Sequence, residues 1–304
     1  MEHKAGKKLF YFAIKFVVSG LFLYVVFRKA GVANIFSHLT TIRPAFFIFS
    51  VVLYIIATFI SAIRWKMLLD EDYPLGKLFS LYMIGSFFNN ILPGIIGGDA
   101  VKVYYLYSDT GKGGSSLGSV FMDRYLGFFA LLLIGLVAGF FAYADLKVIG
   151  MSLAMPALFV FFILVSLVLF GFRLGKRFGA VSAFYDYFHY YIRKGSIMLK
   201  TVALSFIIQI LSIVMVYVIA LGLGESPSFL LLLVFMPIII TAATVPVSIS
   251  GLGIREGAFV ILLGRVGFSP QVAISISFLW FLSTVVASSI GLFEFLRYRK
   301  KALN

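Results

Sequence analysis

Asn89-Asn90-Ile91-Leu92-Pro93-Gly94-Ile95-Ile96-Gly97-Gly98-Asp99 interrupts an otherwise apolar run, and Pro246-Val247-Ser248-Ile249-Ser250-Gly251-Leu252-Gly253-Ile254-Arg255-Glu256-Gly257 does so a second time. Proline removes a backbone donor, glycine is a poor helix residue, and charges at membrane depth are expensive. Irregular backbone survives in a bilayer only where protein or a water-filled cavity surrounds it. Both breaks are therefore expected to mark function.

The surrounding chain decides the solvent. Of 304 residues, 62% are hydrophobic and 12% charged, with mean hydropathy +1.06. So few polar groups cannot cover a soluble domain, so the chain reads as one integral membrane domain over 1–304. The longest polar stretch, near 173–198, is too short for a separate catalytic domain. There is no cysteine, which excludes disulfides, thiolate metal sites and Cys nucleophiles. His3, His38 and His189 are scattered, so no metal site or cofactor is expected. The net charge of +14 reads as topology signals and contact with anionic lipid, not nucleic acid.

Apolar segments fall near 9–27, 44–63, 78–96, 117–143, 150–171, 200–223, 229–249, 252–264 and 270–295. The expected fold is an all-α polytopic membrane protein with about six full spans plus two broken or re-entrant helical elements. Leu9 to Phe27 is long for a signal-peptide core and is read as a retained first helix. With the N-terminus inside and 78–96 re-entrant, 18 of the 26 Lys and Arg lie in inside segments, including 64–77 and 97–116, against five outside. That bias predicts cytoplasmic N- and C-termini in a prokaryotic inner membrane. The same arrangement predicts inverted-topology repeats at 9–143 and 150–296. The segment 172–199 mixes cations with Phe and Tyr and reads as an amphipathic helix in the cytoplasmic interface.

The polar residues of the breaks carry the chemistry. Asn89, Asn90 and Asp99 are expected to line a polar cavity for a lipid headgroup, with Lys102 offering charge to a phosphate; Asp99 alternatively only caps a helix. Arg255 and the free N–H groups beside it suit an anionic group, and Glu256 either neutralises Arg255 or carries a proton. Asp123 and Arg124 point about 100° apart on a helix, so each needs its own partner. The expected pairs are Asp123 with Arg255 or Lys102, and Arg124 with Asp99 or Glu256, a network across the two halves. A static structural pair is the alternative. Gly111-Lys112-Gly113-Gly114 lacks phosphate-loop spacing and reads as a flexible inside loop, with Ser115 or Ser116 capping the next helix. Gly135 and Gly139 form a small-residue packing motif.

Phe88-Asn89-Asn90 with Pro93-Gly94 and Gly97-Gly98-Asp99, Met122-Asp123-Arg124 with Gly127, and Gly251-Leu252-Gly253-Ile254-Arg255-Glu256-Gly257 together resemble the lysylphosphatidylglycerol synthase transmembrane (flippase-like domain) family. The resemblance covers nearly the whole chain. It implies a helical domain that translocates or binds lipids or lipid-linked head groups. In bifunctional members the domain flips aminoacylated phosphatidylglycerol made by a fused cytosolic synthase domain. No such domain follows in these 304 residues, so synthase activity is not expected to transfer. The resulting expectation is a flippase for an anionic phospholipid or polyprenyl-linked intermediate, a transporter more than an enzyme. The alternatives are a membrane-embedded glycosyl or headgroup transferase, with Asp99, Asp123 or Glu256 as base, and a non-catalytic partner of a lipid-modifying enzyme.

Overall fold

The computed structural model describes residues 39, 41–91, 97–171, 179–245 and 251–302. The expected first span at 9–27 lies outside them, as do Lys15, Pro93, Gly94, Pro246, Ser248 and Ser250. Among the described residues the chain is helical, with no strand. The helices are α1 (Pro44–Met67), α2 (Leu75–Ile91), α3 (Gly97–Thr110), α4 (Gly113–Phe141), α5 (Tyr143–Val148), α6 (Ala154–Gly171), α7 (Gly179–Arg193), α8 (Gly195–Gly222), α9 (Phe229–Thr244), α10 (Ile254–Gly264), α11 (Pro270–Ser288) and α12 (Ile290–Ala302). Four runs are long and apolar enough to cross a membrane: α1, α4, α8 and the α11–α12 stretch Pro270–Tyr298. With the shorter apolar helices α6 and α9 they make a polytopic α-helical membrane protein.

Local sequence sets the helix ends. Pro44 and Pro270 occupy first-turn positions, where a missing N–H costs nothing. Ser228 and Ser269 cap α9 and α11 by accepting from Leu231 N and Val272 N. Gly251 and Gly253 enter α10 with φ of +74° and +85°, a region closed to most side chains. Glu256 then reaches back to the Gly253 N–H at 2.7 Å, so the second break ends in a side-chain cap.

The bundle is organised about α1 against α8. On one side α4 packs on α8 and α9; on the other α11 packs on α1 and α2. Each break is a hairpin, α2 against α3 and α9 against α10. The first hairpin is backbone-tight: a Cβ on Gly98 would sit 1.8 Å from Gly85 O. The apolar core has a larger part among α4, α8, α9, α10 and α11 and a smaller one around Trp65, Leu78, Leu81, Ile84 and Leu106. Gly135 allows α4 to meet Met155 and Pro237, so the small-residue motif serves packing on α6 and α9.

Two boundaries depart from the sequence reading. Arg64, assigned to an inside loop at 64–77, lies in the last turn of α1 and is buried. The inside segment 97–116 is mostly helix, with α3 starting two residues before Asp99. Residues 179–193 do form a helix, α7, and bury Tyr185, Tyr187, Phe188 and Tyr191 against neighbours that include Leu68, Met122 and Leu126.

Candidate functional site, a charged cavity beside the first break

A cavity of about 580 Å³ lies within the bundle, lined from α1, α2, α4, α6, α8 and α9. Its charged wall is Arg64, Asp123 and Arg124. Asn89 and Asn90 enter it from the first break, and Thr244 enters from the end of α9, just before the second. Neutral hydrogen-bonding side chains, among them Tyr54, Thr58, Ser86, Gln209 and Ser212, make up much of the remainder. Phe121, Tyr125, Phe128 and Phe162 add rings to the lining.

Asp123 and Arg124 divide their partners as adjacent helical residues must. Arg64 Nε donates to Asp123 Oδ1 at 2.8 Å, and its Nη1 donates to Ser205 Oγ at 2.7 Å. Tyr82 donates its hydroxyl to the other oxygen of Asp123. Arg124 turns the other way and grips Asp99 bidentately, at 2.7 and 3.1 Å. Asp99 also holds Lys102 Nζ, 2.9 Å away. That ammonium is almost fully buried, lies 4.1 Å from the Tyr82 ring centre, and makes no well-directed hydrogen bond. Asn89 Oδ1 accepts from Gly98 N at 2.8 Å, and Asn90 donates to Ser288 Oγ on α11 at 2.9 Å. The first break is therefore tied to its own re-entry helix and to the second half of the chain.

Arg255 and Glu256 lie elsewhere and close upon each other. Arg255 Nη2 is 2.5 Å from Glu256 Oε1, and Ser277 bonds both residues. The guanidinium also faces Phe281 and Trp280, with ring centres at 4.7 and 5.9 Å. Neither residue lines the cavity. Of the expected network, Arg124 with Asp99 is present, whereas Asp123 takes Arg64. Five of the eight residues singled out from sequence (Asn89, Asn90, Asp99, Asp123 and Arg124) thus belong to the cavity or its first hydrogen bonds; Lys102 lies one step behind, and Arg255 and Glu256 form a separate pair.

Arg64, Tyr82, Ser205 and Gln209 were not anticipated. Arg64 continues the buried stripe Ser50, Leu53, Ala57 and Ser61 at helical spacing, a signal present in the sequence. Gln209 donates to the Gly127 carbonyl at 2.9 Å, and both residues line the cavity. A second cavity of about 520 Å³ opens between α2, α3 and α12. It carries Lys77, Asp109, Glu294 and Arg297, with Lys77–Asp109 at 3.8 Å and Arg297–Glu294 at 3.9 Å.

A sequence profile described as "Lysylphosphatidylglycerol synthase TM region" matches residues 12–291. A UPF0104 membrane protein of Pyrococcus horikoshii is 24% identical over 287 residues, covering 82% of this chain and 86% of that protein. A UPF0104 membrane protein of Methanocaldococcus jannaschii is 30% identical over 139 residues, covering 42% and 41%.

Proposed function

Starting from the fact that the chain belongs to the lysylphosphatidylglycerol synthase transmembrane family, we propose that it translocates an anionic lipid, or a lipid-linked intermediate, across its membrane. One observation carries this reading: a cavity of about 580 Å³ inside an apolar bundle whose lining combines charged, neutral polar and aromatic side chains. Polar and ionisable groups are retained at membrane depth where they handle a polar cargo. The headgroup would contact Arg124, Arg64, Asn89 and Asn90, while acyl or prenyl chains remain in lipid along the Phe121, Tyr125 and Phe162 side.

The two breaks fit the same reading as counterparts in inverted repeats. What supports this is the reciprocity of packing: α4 lies on α8 and α9 as α11 lies on α1 and α2, with α1 against α8 between them. In this proposal Arg255 and Glu256 brace the second break, and helix movement within the bundle exposes the cavity to each face alternately. The membrane is the cytoplasmic membrane, with the basic segments 64–77 and 297–301 inside.

The test is reconstitution of the purified chain in liposomes carrying fluorescent lipids, with dithionite quenching of the outer leaflet. Quenching of more than the outer-leaflet fraction is expected with the native chain, and a strong loss of rate with Arg124→Gln. Equal rates for the native chain and that variant would remove the proposed site. Product formed from a donor lipid in detergent, where no leaflets exist, would instead favour a transferase.

A further inference from the structure

We infer that the cargo is a monoanion, a phosphodiester with one negative charge joined to a neutral, hydroxyl-bearing headgroup and carried on a lipid. The inference rests on the translocation reading for its site. What it adds is the charge and class of the ligand.

Among the described residues the charges do not balance evenly. Charges that are buried or line a cavity fall into three clusters. Arg255 and Glu256 neutralise each other. The second cavity holds two cations, Lys77 and Arg297, against two carboxylates, Asp109 and Glu294. Only the cluster at the first cavity is uneven: Arg64, Lys102 and Arg124 face Asp99 and Asp123. Three cations against two carboxylates leave one positive charge. An uncompensated charge inside an apolar bundle is costly, and the most effective relief is one counter-charge brought in with the ligand.

The surplus has a location. Lys102 is buried behind Tyr82 and Arg64 is bonded to Asp123 and Ser205, so both are occupied. Arg124 lines the cavity with its side chain 45% exposed. It gives Nε and Nη2 to Asp99, and Nη1 has no hydrogen-bond partner among the described residues. A guanidinium fixed on one edge and open on the other is a ready donor to a phosphate oxygen. Around it the cavity offers amides and hydroxyls such as Asn90, Gln209 and Ser212, but no further carboxylate beyond Asp123. An ammonium-bearing headgroup would find two neighbouring guanidiniums and no free anion. A diphosphate would bring one charge too many. A polyprenyl phosphodiester of a neutral sugar meets the rule, and a polyprenyl diphosphate does not.

The experiment is competition binding to the purified full chain in nanodiscs of neutral lipid. The probe is fluorescent phosphatidylglycerol. The competitors are phosphatidylethanolamine (zwitterion), phosphatidic acid (approaching a dianion) and soluble glycerophosphoglycerol. Phosphatidylglycerol is expected to bind about tenfold more tightly than either other lipid, a difference of one uncompensated charge partly screened. Equal competition by phosphatidylethanolamine or phosphatidic acid overturns the charge rule. Equal competition by glycerophosphoglycerol overturns the lipid carrier. Asp99→Asn raises the surplus to two and is expected to shift preference toward phosphatidic acid. Because it also releases Arg124, Asp123→Asn makes the same charge change through the other carboxylate, and an unchanged preference in both variants counts against the proposal. If neither variant folds, the native competition series decides alone. Selective binding without translocation would sink the transport reading and spare this one, while translocation without selectivity would do the reverse.

Discussion

Arg64 Nε lies 2.8 Å from Asp123 Oδ1, joining the last turn of α1 to α4 across 59 positions of sequence. Both side chains are buried, at 4% and 0% exposure, and Ser205 and Tyr82 complete their hydrogen bonds. A buried pair of this kind costs little when whole and much when halved.

Arg64→Ala is therefore expected to destabilise the protein by about 3–5 kcal/mol, because it strands a buried carboxylate. The paired change Arg64→Leu with Asp123→Leu should cost clearly less than either single change. Thermal unfolding in detergent, run as a double-mutant cycle, measures the coupling. Additive losses would mean that the pair is not coupled.

Two glycines give a contrasting pair. Gly98→Ala forces a Cβ to within 1.8 Å of Gly85 O, which backbone must relieve by moving. A loss of about 1–3 kcal/mol is expected from overpacking, with lipid binding impaired because Asp99 is the next residue. At Gly257 nothing lies within 4 Å of an added Cβ. Gly257→Ala should stabilise α10 by about 0.5–1 kcal/mol, since glycine is the poorer helix residue. Melting curves of the two variants should move in opposite directions.

Glu256→Gln removes one charge from the pair with Arg255 and weakens the cap on Gly253. Stability should fall, while lipid preference in the competition assay stays as in the native chain, because neither residue lines the cavity. An altered preference with unchanged stability would return Arg255 and Glu256 to the ligand.

The docking of α7 should loosen in alkali. Burial, then a hydrogen bond donated to Asp70, pushes the Tyr191 phenol above its ordinary value of 10.0. A raised folded value means that this contribution is whole below pH 10 and is lost as the pH climbs toward the folded value. Limited proteolysis near 193–195 is expected to accelerate above pH 10 in the native chain, and less so in Tyr191→Phe.

Much of the site could be read from sequence because lipid penalises what soluble proteins hide. Asn89, Asn90 and Asp99 stood out against apolar neighbours, and adjacency alone required Asp123 and Arg124 to part company. Arg64 was missed because a charge near a span's end looks like loop, though its place in the Ser50–Ser61 stripe marks it as inward-facing. Neutralisation of Arg255 by Glu256 was one of the readings the sequence allowed, and the local geometry shows how it comes about. Successive residues on a regular helix diverge, but in this first turn Glu256 bends back to Gly253 and comes within reach of its neighbour.

The backbone contact at Gly98 also governs how the molecule is able to move. It fastens α3 to α2, and a similarly close approach of Gly291 to Met83 fastens α12 to α2. In the proposed transport cycle these three helices, the wedge, are expected to move together, since a shift between them would break close backbone contacts. Sliding is left to the aromatic seam, where Tyr125 meets Phe162, Phe170 and Phe188 at 5.4–5.6 Å between ring centres. Spin labels at Tyr104 and Phe293, both exposed on the wedge, should hold one separation through transport, while labels at Phe121 and Tyr190 across the seam should show two. Asp99 and Lys102 ride on the wedge, and Arg124, beside Tyr125 at the seam, ties the two together.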